Sequence, residues 1–173
     1  MIRPVLVVAL LAFAAPAWPC TVGHPLSSPD SLVRDAEVIA RVRAEALSPK
    51  KGRIEDVGGT PTQVRFTVLE VLKGRLPSST LEFNGRLTER DDPNRGTVPY
   101  TTNRPGGHGT CVAVNYRTGA EYLFLLRRPK HPAYGQLGQL TPYWTALSPT
   151  NEQLFGGARD PWFVWVNQEL RRR

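Results

Sequence analysis

Gln63-Val64-Arg65-Phe66-Thr67-Val68-Leu69-Glu70-Val71-Leu72 is the clearest strand signal in the chain. Val64, Phe66, Val68 and Glu70 alternate with Arg65, Thr67, Leu69 and Val71, the two-residue period of an extended segment. Its apolar content rises along its length, so both faces are expected to be largely buried toward its end. Lys73-Gly74 closes the run, and Ser79 to Asn84 adds a short strand through Leu81 and Phe83. Upstream, Ala36 to Leu47 places Val38, Ala40, Val42 and Ala44 on one face, and Lys50 to Pro61 is a Gly/Pro/charge-rich turn region. Downstream, Cys111 to Asn115 is extended, Glu121 to Leu126 is a strongly apolar strand, and Tyr143 to Leu147 supplies a last short one. A short helix runs from Ser28-Pro29-Asp30 through Asp35, with Ser28 or Asp30 as its cap. Asp160-Pro161 opens a closing helix with Trp162, Phe163, Trp165, Val166 and Leu170 on its apolar side. Gly85 to Gly109 is long and irregular. Five or so short strands with little helix point to a mainly β chain. A five-stranded, closed OB-type barrel with one helix at each end of the chain fits them; strand counting leaves a β-sandwich open.

The first 17 residues read as an export signal. Arg3 gives a positive start, Val5 to Ala15 an apolar stretch, and Ala15-Pro16-Ala17 the small residues of a cleavage site. The apolar stretch is shorter than the about 20 residues that span a bilayer. Residues 18–173 are then one domain, secreted or periplasmic, with no membrane span. The formal charge of +7 is spread over Lys50-Lys51, Arg53, Arg127-Arg128 and Arg171 to Arg173, a pattern of solvated surface that names no anionic partner. Nucleic acid is not expected as a partner, since Arg65, Phe66, Tyr116 and Arg117 make at most a thin stacking surface.

Cys20 and Cys111 are the only cysteines. In an oxidising compartment the expected pairing is a disulfide closing a loop of about 90 residues, worth about 4–5 kcal/mol in the chain-entropy model. The competing reading is zinc: Cys20 with His24, and His108 with Cys111, have ligand-like spacings. No Gly-x-Ser-x-Gly elbow, His-Glu-x-x-His helix or phosphate loop is present. A Cys111–His108 nucleophilic pair conflicts with a bridged Cys111. Asp91-Asp92, Asp30 and Asp35 suit turns and caps. The chain is therefore not expected to be an enzyme or to need a cofactor.

Several segments resemble the tissue inhibitors of metalloproteinases and the netrin-like domains. They are Cys20-Thr21, His24-Pro25, Asp35-Ala36-Glu37-Val38-Ile39-Ala40-Arg41-Val42, Phe66 through Lys73-Gly74, Cys111 followed by Gly119-Ala120-Glu121-Tyr122-Leu123-Phe124, and Tyr143 through Ser148. The resemblance spans nearly all of residues 18–173 and implies an OB barrel. It further implies inhibition of a zinc metalloprotease: the Cys20 α-amine and carbonyl would chelate the protease zinc, Thr21 would enter its specificity pocket, and Gly109-Thr110-Cys111 would form the adjoining ridge. The alternative is a monomeric module, stapled by its disulfide, that binds another extracellular protein or a polymer. Val22 stands where the family has a third-position cysteine. A cut after Ala17 leaves Trp18-Pro19 ahead of Cys20 and converts its amine to an amide; a cut after Pro19 leaves the amine free.

Overall fold

The structure is a computed structural model and describes residues 27–49, 62–90, 93–101, 104, 115–128, 141–142 and 151–173. Its centre is the ladder between β1 (Val38–Pro49) and β2 (Thr62–Lys73), which pair antiparallel from Ile39↔Lys73 to Pro49↔Thr62. Register shifts at Ile39/Ala40, Arg41/Val42 and Ala44/Ala46 interrupt this ladder, and such irregularities bend and coil a sheet. β3 (Thr80–Asn84) extends the sheet beyond β2, and β6 (Glu121–Arg127) lies on the other side of β1. The far edge of β6 is shared by β7 (Thr141–Pro142) and β8 (Asn151–Leu154), so the order is β3-β2-β1-β6, then β7 and β8. All of these pairings are antiparallel.

The middle of the sheet is buried on both faces, and the period of two divides its side chains between two cores. Ile39, Leu123 and Leu125 point to one face, where they meet Leu32, Val33, Ala36, Leu154, Trp162, Phe163 and Val166. That face is covered by α1 (Pro29–Asp35) and α2 (Pro161–Arg171). Val38, Ala40, Val42, Ala44, Tyr122, Phe124 and Leu126 point the other way and enclose Phe66 and Tyr116, whose rings meet edge to face at 4.9 Å. This second face is capped by β4 (Arg86–Thr88) and β5 (Asn115–Arg117), a parallel pair that contributes Leu87 and Tyr116. Each fully buried Leu or Phe contributes about 1.5–3 kcal/mol. The two cores, rather than strand propensity, hold the sheet in place.

Local chemistry sets the ends of the elements. Asp160 caps α2 by accepting from Trp162 N at 2.9 Å, and Pro161 occupies the first turn, where its missing N–H costs nothing. α1 starts at Pro29 after Ser28, whose side chain bonds Ser31 Oγ rather than the backbone. Its C-terminal carbonyls are met from outside the helix: Lys73 Nζ donates to Val33 O at 3.0 Å and Arg34 O at 2.7 Å. Burial of this ammonium, with help from Arg173, holds the Lys73 pKa below its ordinary value. Gly74 follows at φ +75°, against the Glu37 carbonyl that links α1 to β1. The Lys-Gly pair at the end of β2 thus fastens three elements together.

Three expectations are corrected. Among the described residues no ladder joins β3 to β7 or β8, so the described sheet does not close into a barrel. Instead the chain turns at Gly85 out of β3 into β4, which takes β5 as its partner. The end of β2 is not buried on both faces: Glu70 is exposed and Val71 is 40% exposed, while Leu72 packs against the helix-covered core. The stretch from Gly85 is not wholly irregular, since it begins with β4. β7 and β8 are additional strands. The turn region 50–61, the residues 111–114 and the strand expected at 143–147 lie outside the described residues.

Candidate functional site: the buried Arg104 cluster

β8 reads Asn-Glu-Gln-Leu, yet all four residues are buried. Pairing with β6 satisfies their backbone, and the register puts Glu152 opposite Leu123 and Asn151 opposite Phe124. Glu152 therefore shares the helix-covered face, while Asn151 shares the face of Phe66 and Tyr116. Asn151 Nδ2 donates to Tyr116 Oη at 2.7 Å, and Tyr122 Oη accepts from Arg117 N at 2.7 Å. Buried hydroxyls are expected to be paired in this way.

Arg104 is 1% exposed and joins the two faces. Its backbone N–H donates to Glu152 Oε1 at 3.1 Å. Its guanidinium lies over the rings of Tyr116 and Tyr122, 5.6 and 5.2 Å from their centroids, and Nη1 donates to Asn115 O at 3.3 Å. A desolvated cation over two tyrosine faces is a favourable arrangement. It is incomplete: Arg104 Nε and Nη2 and Glu152 Oε2 are buried with no hydrogen-bond partner among the described residues.

Burial pushes the Glu152 carboxyl up to about 7, against the opposing pull of the Arg104 charge, the Asn94 side chain and the Arg104 amide; Asp160 adds to the rise. Tyr116 is raised by burial, and Tyr100 by burial and by the charges of Asp160 and Glu152. Glu152 therefore changes charge near neutrality while enclosed in protein. With Glu152 and Arg104 each 1% exposed, the cluster is built to hold chain segments together.

Arg104 and Asn115 are the described residues on either side of 105–114. Their direct bond ties the two ends of that segment, and Glu152 and the tyrosine rings fix the tie in the core. The sequence-expected site residues Gly109, Thr110 and Cys111, the Cys20–Cys111 disulfide, Thr21, and the alternative zinc set of Cys20, His24, His108 and Cys111 all lie outside the described residues. Among the described residues no three His, Cys, Asp or Glu side chains group as a metal site, and no helix is long and apolar enough to cross a membrane. Phe66 and Tyr116, the aromatics of the thin stacking surface, are core residues. Asp30 and Asp35 stand at opposite ends of α1, each exposed.

Nothing in the sequence marked Arg104, an arginine before Pro-Gly-Gly in an irregular stretch, or Glu152 in a polar run. No polar/apolar period in Asn151-Glu152-Gln153-Leu154 announces a buried strand. On the outer side, Arg41 bonds Glu121 and Glu70 at 3.2 and 3.4 Å, Arg43 bonds Glu121 at 3.1 Å, and Arg41 lies over Phe163 at 5.5 Å. These partly exposed pairs tie β1, β2, β6 and α2, each at up to about 1 kcal/mol. No family model and no curated protein matches the chain.

Proposed function

We propose that the chain is an exported protein-binding module of the tissue-inhibitor and netrin type, which engages a zinc metalloprotease through Cys20, Thr21 and the Gly109-Thr110-Cys111 ridge. The observation that carries this reading is the tie between Arg104 and Asn115, a buried device whose effect is to fix both ends of the segment bearing that ridge. A recognition loop on a fixed base loses less conformational freedom on binding and so retains more of its contact energy. The antiparallel sheet with a closing helix suits the same reading. Lys73-Gly74, on which the resemblance partly rests, has a defined place at the junction of β2, α1 and β1.

The chemistry requires a free α-amine on Cys20, because a neutral amine and a carbonyl oxygen can complete an open zinc coordination sphere whereas an amide nitrogen cannot. The test compares chains that start at Cys20 with chains carrying one extra alanine, against a panel of zinc metalloprotease catalytic domains. Inhibition by the first and its loss in the second is the expected result. Equal behaviour of the two chains removes the chelation mechanism. The stapled, non-inhibitory module then becomes the better description.

A further inference from the structure

The unmatched groups of the Arg104 cluster have a common explanation. Two guanidinium donors and one carboxylate oxygen are buried without partners among the described residues, and they belong to residues already joined through the Arg104 backbone amide. Buried polar groups are rarely left unpaired, and an ionised carboxylate without a cation is among the costlier cases. The two halves stand on opposite faces of β8, and the Arg104 main chain lies between them.

We propose that Arg104 and Glu152 form a two-position proton switch: with Glu152 neutral the guanidinium rests on Tyr116 and Tyr122, and with Glu152 ionised it turns to the carboxylate and releases Asn115 O. The proton leaves Glu152 for solvent, and the total charge of the pair changes from +1 to 0. Each position has its own reward. In the first the cation keeps two ring faces and one carbonyl. In the second Nε and Nη2 meet Oε1 and Oε2 in the forked geometry that arginine and carboxylate share.

The charged and titratable groups facing Glu152 set where the switch operates. Arg104 favours the ionised form, and Asp160, at the start of α2, opposes it. Tyr100, from the segment 93–101, and Tyr116, from β5, both have raised pKa values and stay neutral throughout, while Asn94 donates to the carboxyl. Tyr122 from β6 contributes a ring and a hydroxyl. The consequence for the fold is specific: raising the pH through neutrality unties residue 104 from residue 115 while leaving β8 paired with β6.

The experiment is a titration of the isotope-labelled protein by NMR from about pH 5.5 to about pH 8.5, which brackets the neutral range. The Glu152 carboxyl carbon and the Arg104 side chain are followed together, in the natural protein and in Glu152→Gln. At the acid end the Arg104 side-chain protons should be shifted upfield by the ring currents of Tyr116 and Tyr122. With rising pH that shift should disappear and Nε–H should gain protection from exchange, at the same midpoint as the Glu152 carbon. Glu152→Gln should keep the upfield shift at every pH; if it does not fold, the natural protein's two coincident midpoints still decide the matter. An Arg104 signal that does not move while Glu152 titrates overturns the proposal. So does completion of the Glu152 titration below about pH 5.5, in the ordinary carboxylate range.

Discussion

Gly74 and Gly119 offer a controlled pair for measuring what the β2–α1 junction contributes. Both sit at φ +75°, so an alanine at either position takes on the left-handed penalty of about 1–2 kcal/mol. Their surroundings differ. A Cβ at Gly119 meets nothing within 4 Å, whereas a Cβ at Gly74 overlaps the Glu37 carbonyl oxygen and stands 3.0 Å from Val38 Cγ2. Glu37 cannot move freely. Its N–H donates to Leu126 O at 2.8 Å, and its carboxylate holds the Arg128 guanidinium and backbone N–H. Displacing it loses a hydrogen bond of about 1 kcal/mol, and forcing the backbone aside costs about 1–3 kcal/mol more. Gly74→Ala should therefore destabilise by about 3–6 kcal/mol and Gly119→Ala by about 1–2 kcal/mol. Urea unfolding followed by tryptophan fluorescence reads the difference, because Trp162 and Trp165 stack at 5.2 Å in the core that α1 and α2 share. At a slope of about 2 kcal/mol per molar urea, the midpoints should fall by about 2 M and about 0.5–1 M respectively. Equal losses at the two glycines would refute the argument that the Glu37 carbonyl is what Gly74 must clear.

Three further substitutions probe the described residues. Asp160→Ala removes the α2 cap together with acceptors for Phe155 N and Gly156 N, and should cost about 2–3 kcal/mol in the same urea experiment. Lys73→Met withdraws the bonds to Val33 O and Arg34 O, with an expected loss of about 1–2 kcal/mol and faster amide exchange in Ser31 to Asp35. Glu152 has a carboxyl raised on folding, from 4.5 to about 7. Its contribution is full below the unfolded value and is lost as pH rises through the folded one. Stability of the natural protein should thus fall between about pH 4.5 and 7 by at most about 3 kcal/mol, less whatever pairing with Arg104 returns. Glu152→Gln should flatten that fall in thermal melts across the range, and an unchanged slope would show that Glu152 is not its source.

The parts of the fold that were legible in the sequence are those where chemistry repeats with a period. β1 shows its buried face as Val38, Ala40, Val42 and Ala44, and β6 is apolar on both faces because it is central to the sheet. α2 was marked by Asp160-Pro161 and its apolar side, and its Trp162, Phe163 and Val166 are buried as that pattern requires. β8 was illegible for the opposite reason. Asn151, Glu152 and Gln153 are buried by their neighbours, and Asn151 and Glu152 bond a tyrosine hydroxyl and a loop amide that are distant in sequence. Arg104 was hidden in the same way, since only the folded chain brings Tyr116 and Tyr122 under its guanidinium. The end of β2 differs from its sequence pattern because alternating apolar residues reveal a strand and not whether each face is covered; Val71 stays exposed.

The inhibitor reading depends most directly on where the exported chain begins. Intact and N-terminal peptide masses of the exported protein, with and without reductant, decide it. The inhibitor reading predicts a chain cut after Pro19 rather than Ala17, starting at Cys20 and gaining two hydrogens on reduction, as a bridged cysteine with a free α-amine requires. A chain starting at Trp18, with its Cys20 nitrogen locked in an amide, would contradict it.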